Sequence, residues 1–146
     1  MKRWWMSGLL LVSYAAAFAV NVGYFAWSYP VGWPQVTTSA LYGAVWIGCL
    51  IFGRGSRRLM RLTMIMGAAM AAGSLLGLLV RTLGSAGLTL PALILSGLTV
   101  TPLYGLLSLI GDYDLFYLAA AALGAGVCAL AKLFRRKINA REEKRI

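Results

Sequence analysis

The chain is expected to be an all-α integral membrane protein: a four-span helical bundle with a Pro/Gly-broken segment that is re-entrant or lies at the interface. Three observations predict this class. From Trp4 to Gly53 there is no Lys, Arg, Asp or Glu. From Leu62 to Ala131 only Arg81, Asp112 and Asp114 interrupt a second apolar tract. The remaining charges gather at the borders of these tracts, where a hydrocarbon slab gives way to water. A membrane helix needs about 20 apolar residues, so each tract is long enough for more than one span and too long for the interior of one small globule.

Composition agrees. The 146 residues are 60% hydrophobic and 12% charged, against about a quarter charged in a soluble domain. The net charge of +10 does not form a nucleic-acid stripe. Apart from Arg81, the basic residues fall into three short clusters, Lys2/Arg3, Arg54 to Arg61 and Lys132 to Arg145. Their expected partners are anionic lipid headgroups, at about 1 kcal/mol per basic residue near the surface; nucleic acid is not expected.

The first element is a span over about 4–28. Lys2 and Arg3, then Leu9-Leu10-Leu11-Val12 and the small run Ala15 to Ala19, resemble a secretory signal with Ala17-Phe18-Ala19 as its cleavage point. The apolar run nevertheless continues through Val20, Val22, Tyr24, Phe25 and Trp27, the length of a span rather than of a cleaved segment. Trp4 and Trp5 mark one interface; Trp27, Tyr29 and Trp33 mark the other. Pro30 and Pro34 form the outer turn, since neither can continue a helix. Thr37, Thr38 and Ser39 offer capping hydroxyls for a second span over 36–53.

The third span, about 62–80, is built from small residues: Gly67, Ala71 and Ser74 can lie along one stripe, and Gly73-x-x-x-Gly77 is a close-approach spacing. The last span, about 115–134, repeats the pattern in Ala122-x-x-x-Gly126. In lipid, van der Waals contact between small residues must do what the hydrophobic effect does in water. These two helices are therefore expected to pair through Gly73, Gly77, Ala122 and Gly126. Residues 1–134 form one transmembrane domain, and 135–146 a basic cytoplasmic tail.

Between the last two spans lies the ambiguous segment 87–111. It is apolar throughout, yet Pro91, Gly97, Pro102 and Gly105 favour a broken helix. Charge arbitrates. Lys and Arg collect on the cytoplasmic side, and placing all three clusters there requires an even number of crossings between each pair. The 87–111 segment then enters and leaves from the outer side. A fifth full span is the alternative, and it would send the tail outside. The favoured arrangement places the protein in a bacterial plasma membrane with both termini cytoplasmic.

The chemistry is sparse. No His occurs, which excludes Ser-His and Cys-His nucleophile pairs and His-containing metal sites. No carboxylate lies within a span, where a proton-driven exporter needs one. Cys49 and Cys128 are read as packing residues. Asp112 and Asp114 are the only acids before the tail; a pair of carboxylates without further oxygen ligands makes no metal site. Asp114 is expected to cap the last span, and Arg81 to pair with either acid. Asn21 is expected to hydrogen-bond across helices and Trp46 to fill the bundle core or a partner interface.

No catalytic, cofactor or metal residue is therefore assigned, and no enzyme is expected. The candidate functional surface is Arg81, Thr99, Thr101, Tyr104, Asp112 and Asp114, because broken helices near a membrane face are where such proteins place sites. The expected role is a small transport-related or accessory subunit acting as a homo-oligomer or with a larger membrane partner. A pore-forming or holin-like protein is the alternative, and a membrane enzyme using Asp112 and Asp114 a third.

Overall fold

The computed structural model describes residues 4–27, 29–83 and 89–143. Lys2, Arg3, Ser28, the first residues of the 87–111 segment and the last three of the tail lie outside them. Among the described residues the chain is helical, with no strand: α1 (Trp4–Trp27), α2 (Trp33–Phe52), α3 (Arg57–Leu83), α4 (Thr89–Val100), a 3-10 segment (Thr101–Leu106), α5 (Leu107–Ile110) and α6 (Tyr113–Glu143). Five stretches are long and apolar enough to cross a membrane: Trp4–Trp27, Trp33–Phe52, Arg57–Leu83, Leu90–Ile110 and Tyr113–Ala140. Large apolar side chains such as Leu11, Ile47, Ile65, Leu95 and Leu118 face outward along these helices. Water does not reward such a surface, and hydrocarbon does not penalise it.

α1 and α2 form an antiparallel hairpin. Each buries one stripe at alternating three- and four-residue spacing, most regularly Gln35, Ser39, Tyr42, Trp46 and Cys49 on α2. Contacts fix the register: the Cys49 thiol lies 3.7 Å from the Met6 carbonyl oxygen, and the Tyr14 and Tyr42 rings stand 6.1 Å apart. Nearer the other end, Asn21 Nδ2 lies 3.3 Å from Ser39 Oγ. α2 begins three residues earlier than its sequence suggests. Pro34 sits in the first turn, where a missing N–H costs nothing. Gly32 is the cap residue, and its N–H donates to Gln35 Oε1 at 3.1 Å. Thr37 and Thr38 therefore bond back to the carbonyls of Trp33 and Pro34, both at 2.8 Å, instead of capping.

α3 and α6 form the second and most extensive antiparallel pair. Its close approach runs through Gly67 and Ala71 of the small-residue stripe on α3 and through Gly124 on α6, not through Ala122 and Gly126. Ala122 and Gly126 lie on the exposed face of α6, and a side chain added at Gly126 would meet nothing within 4 Å. Gly73 and Gly77 do pack, Gly77 within this pair as well as against α4, and Gly73 against α4 alone. Gly73 faces Thr99 and Leu95 of α4, and Gly77 faces Tyr117 of α6 and Ser96 of α4. Both helices outrun their expected spans. α6 continues unbroken through the first part of the basic tail, to Glu143.

The two hairpins touch each other little; the 89–110 segment is wedged between them. α4 packs antiparallel on α3, with Ser96 beside Gly77 and Thr99 beside Gly73, farther from the Arg81 end. Pro102 then ends the α-helix, because it has no N–H for the Leu98 carbonyl. The Tyr14 hydroxyl donates to that carbonyl instead. The 3-10 turn is buried against α1 and α2, and the Gly105 N–H donates to Ser39 Oγ at 3.0 Å. Gly105 is here because a Cβ would strike the Gln35 carbonyl group. Gly111, at φ 75°, ends α5 in the left-handed region. By Tyr113 and Asp114 the chain is again beside Arg81.

The register of the hairpins sorts the charges. Arg54, Arg57, Arg58 and Arg61 share one end with Trp4, Trp5 and the basic turns of α6 that hold Lys132, Arg135, Arg136 and Lys137. The opposite end carries Trp27, Trp33, Arg81, Asp112 and Asp114.

Candidate functional site

A groove of about 610 Å³ opens at this second end, between α1, α3, α4, the 3-10 segment and α6. Its walls are mainly apolar, from Phe18, Val22 and Phe25 on one side and Leu93, Ile94 and Leu98 on the other. The volume lies in the range of about 300–1,000 Å³ that small-molecule sites occupy.

The aromatic back wall follows from the helix stripes. Tyr113 and Tyr117 are one turn apart on α6, and Tyr117 fits only because position 77 of α3 is glycine. The Tyr104 ring meets Phe25 edge-on at 5.5 Å and Phe116 at 6.4 Å, the geometry that aromatic quadrupoles favour. Its hydroxyl lies 3.1 Å from that of Tyr113. One partly buried hydrogen bond thus ties the 3-10 segment to the start of α6.

At the rim, Arg81 Nε donates to Asp114 Oδ1 at 2.6 Å, and the guanidinium stands 4.9 Å from the centre of the Tyr113 ring. Both partners of this ion pair are half exposed. The capping role expected of Asp114 belongs to Asp112: its Oδ1 accepts the Leu115 N–H at 2.8 Å, satisfying a donor that the first helical turn leaves free.

On the groove floor lies Thr101, fully buried. Its hydroxyl has no hydrogen-bond partner among the described residues, and an unpaired buried hydroxyl costs about 1–3 kcal/mol. A network beneath anchors the floor: Asn21 Nδ2 bonds to the Ala17 carbonyl at 2.7 Å and to Ser39 Oγ, which holds Gly105. Trp46 is buried in the α1–α2 core, tilted on Tyr42 at 5.5 Å.

Of the six candidate surface residues, Arg81, Thr101 and Tyr104 line the groove, and Asp114 joins through its ion pair. Thr99 does not line it. Its hydroxyl returns to the Leu95 carbonyl at 2.8 Å, and its side chain packs on Gly73. Asp112 is occupied as a cap. Phe25, Gly97, Tyr113 and Tyr117 also line the groove and are not among the sequence candidates for the site; the one-turn spacing of the two tyrosines is the available signal. No group of three or more His, Cys, Asp or Glu side chains fit to hold a metal occurs among the described residues. The site offers apolar walls, hydroxyls and one ion pair, which suit binding.

Comparison with protein families, curated proteins and solved structures finds no match for the chain. What is defined is the class: among the described residues, an all-helical protein with five helical stretches long and apolar enough for membrane spans.

Proposed function

We propose that this is a non-catalytic multi-pass protein of a bacterial plasma membrane, with four crossings, a re-entrant 87–111 segment and both termini cytoplasmic. It serves transport as an accessory subunit, acting with a larger membrane partner or with further copies of itself, and the groove is its binding surface. Anionic headgroups neutralise the basic end.

The observation that carries this reading is the position of the segment's two ends. Ile94, near its start, and Tyr113, just after it, line the same groove as Arg81. Thr99, between them, lies beside Gly73, deeper along α3. A full crossing would leave its last residues among the arginines 54–61, away from Arg81. Irregular backbone at membrane depth is tolerated only where protein covers it and its polar groups are paired. Tyr14 and Ser39 supply that pairing for Leu98 and Gly105. The charge distribution supports the same orientation, with the basic clusters at the cytoplasmic end. The structural duties of Asp112 and Asp114 favour a non-catalytic role.

Expression from an inducible promoter, with membrane potential followed and the protein purified in mild detergent, tests the role. A subunit leaves the potential intact and elutes in a stoichiometric complex. Prompt collapse of the potential would replace this reading with a pore.

A further inference from the structure

From the groove and its rim, we infer that the site holds one zwitterionic phospholipid of the phosphoethanolamine type, drawn from the outer leaflet. The inference rests on the four-crossing orientation proposed above, which puts the groove's rim at the outer headgroup level.

Two independent features select this occupant. The walls are apolar, and residues flanking the opening, among them Val22, Leu93 and Ile94, are exposed, so an acyl chain can enter sideways from the bilayer without crossing water. The rim carries both signs of charge within one ion pair, Arg81–Asp114, as the headgroup does. An ion pair with both partners half exposed contributes only about 0–1 kcal/mol. It can open to give the guanidinium to a phosphate and the carboxylate to an ammonium. Arg81 against Asp112 and Asp114 leaves one net negative charge at this end, which disfavours an anionic headgroup.

Gly97 gives a means of testing this. A Cβ there would meet only a Phe25 ring carbon, at 3.5 Å, so a larger residue projects into the groove without striking backbone. The full chain is to be equilibrated in vesicles of equal phosphatidylethanolamine and phosphatidylglycerol, extracted in mild detergent, and examined by native mass spectrometry. One phosphatidylethanolamine is expected to remain bound, in preference to phosphatidylglycerol. Gly97→Phe and Ile94→Trp, two independent blocks, are each expected to cut retention about tenfold; Arg81→Gln is expected to cut it about fivefold, the worth of one basic residue at a lipid surface.

Equal retention of the two lipids, or undiminished retention in both blocked variants, overturns the inference. A photoreactive residue at position 94 that captures a protein helix in cells and no lipid overturns it too. Side-specific labelling of Asn139→Cys in the same preparations separates the two failures. A cytoplasmic residue 139 without lipid retention sinks only the lipid. An outward residue 139 sinks the orientation beneath it.

Discussion

Gly67 and Gly124 meet backbone to backbone. A Cβ built on Gly67 would stand 2.8 Å from the Gly124 carbonyl oxygen, and one on Gly124 2.6 Å from that of Gly67. Neither obstacle is a flexible side-chain end, so nothing at this crossing can yield without moving a helix.

Gly124→Leu is therefore expected to destabilise the α3–α6 pair by about 3 kcal/mol, at the upper end of overpacking costs. Gly126→Leu, two residues on and pointing outward, is expected to cost under about 0.5 kcal/mol. Reversible unfolding in mixed micelles measures both. Equal losses at the two positions would mean that α6 presents a different face.

Ser39 receives the Gly105 N–H and lies within reach of Asn21 Nδ2. Ser39→Ala leaves a buried backbone donor unpaired, at about 1–3 kcal/mol. Gly105→Ala should cost at least as much, because the methyl group collides with the Gln35 carbonyl. The same unfolding assay reads both, and faster hydrogen exchange at residues 101–106 is expected to accompany them. An unchanged midpoint for Ser39→Ala would contradict the wedge.

Tyr14 serves the carbonyl that Pro102 leaves without a backbone donor. Tyr14→Phe is expected to cost about 1–2 kcal/mol in the native chain and distinctly less in a Pro102→Ala background, where an amide N–H is restored. A double-mutant cycle measures this coupling. Strict additivity would show that the hydroxyl does not substitute for the missing bond.

Much of this architecture is legible in the sequence, and the misses share a cause. The charge-free tracts and the Trp and Tyr residues at their ends mark the helices of the first hairpin, because hydrocarbon excludes charge and indole rings prefer the interface. Pairing of α3 with α6 is legible from their small residues. The face of α6 is not: Ala119 to Ala122, Gly124, Ala125 and Gly126 surround the helix with small residues, so spacing alone cannot choose Gly124 over Gly126. Pro34 reads as a terminator but acts as a starter, since the first turn has no use for its missing N–H. At the groove, Arg81, Thr101 and Tyr104 are legible from the broken-helix rule. Phe25 and Gly97 are not, because they meet only through tertiary packing.

In the four-crossing arrangement, the chain between Thr89 and Asp112 comes back to the side it started from. Single cysteines at Thr82, Leu109 and Asn139, in a chain lacking Cys49 and Cys128, can be exposed to an impermeant maleimide on intact cells. Labelling of Thr82→Cys and Leu109→Cys, with Asn139→Cys reacting only after permeabilisation, is the predicted result. Labelling of Asn139→Cys on intact cells, with Leu109→Cys protected, would make the segment a fifth crossing and contradict the account.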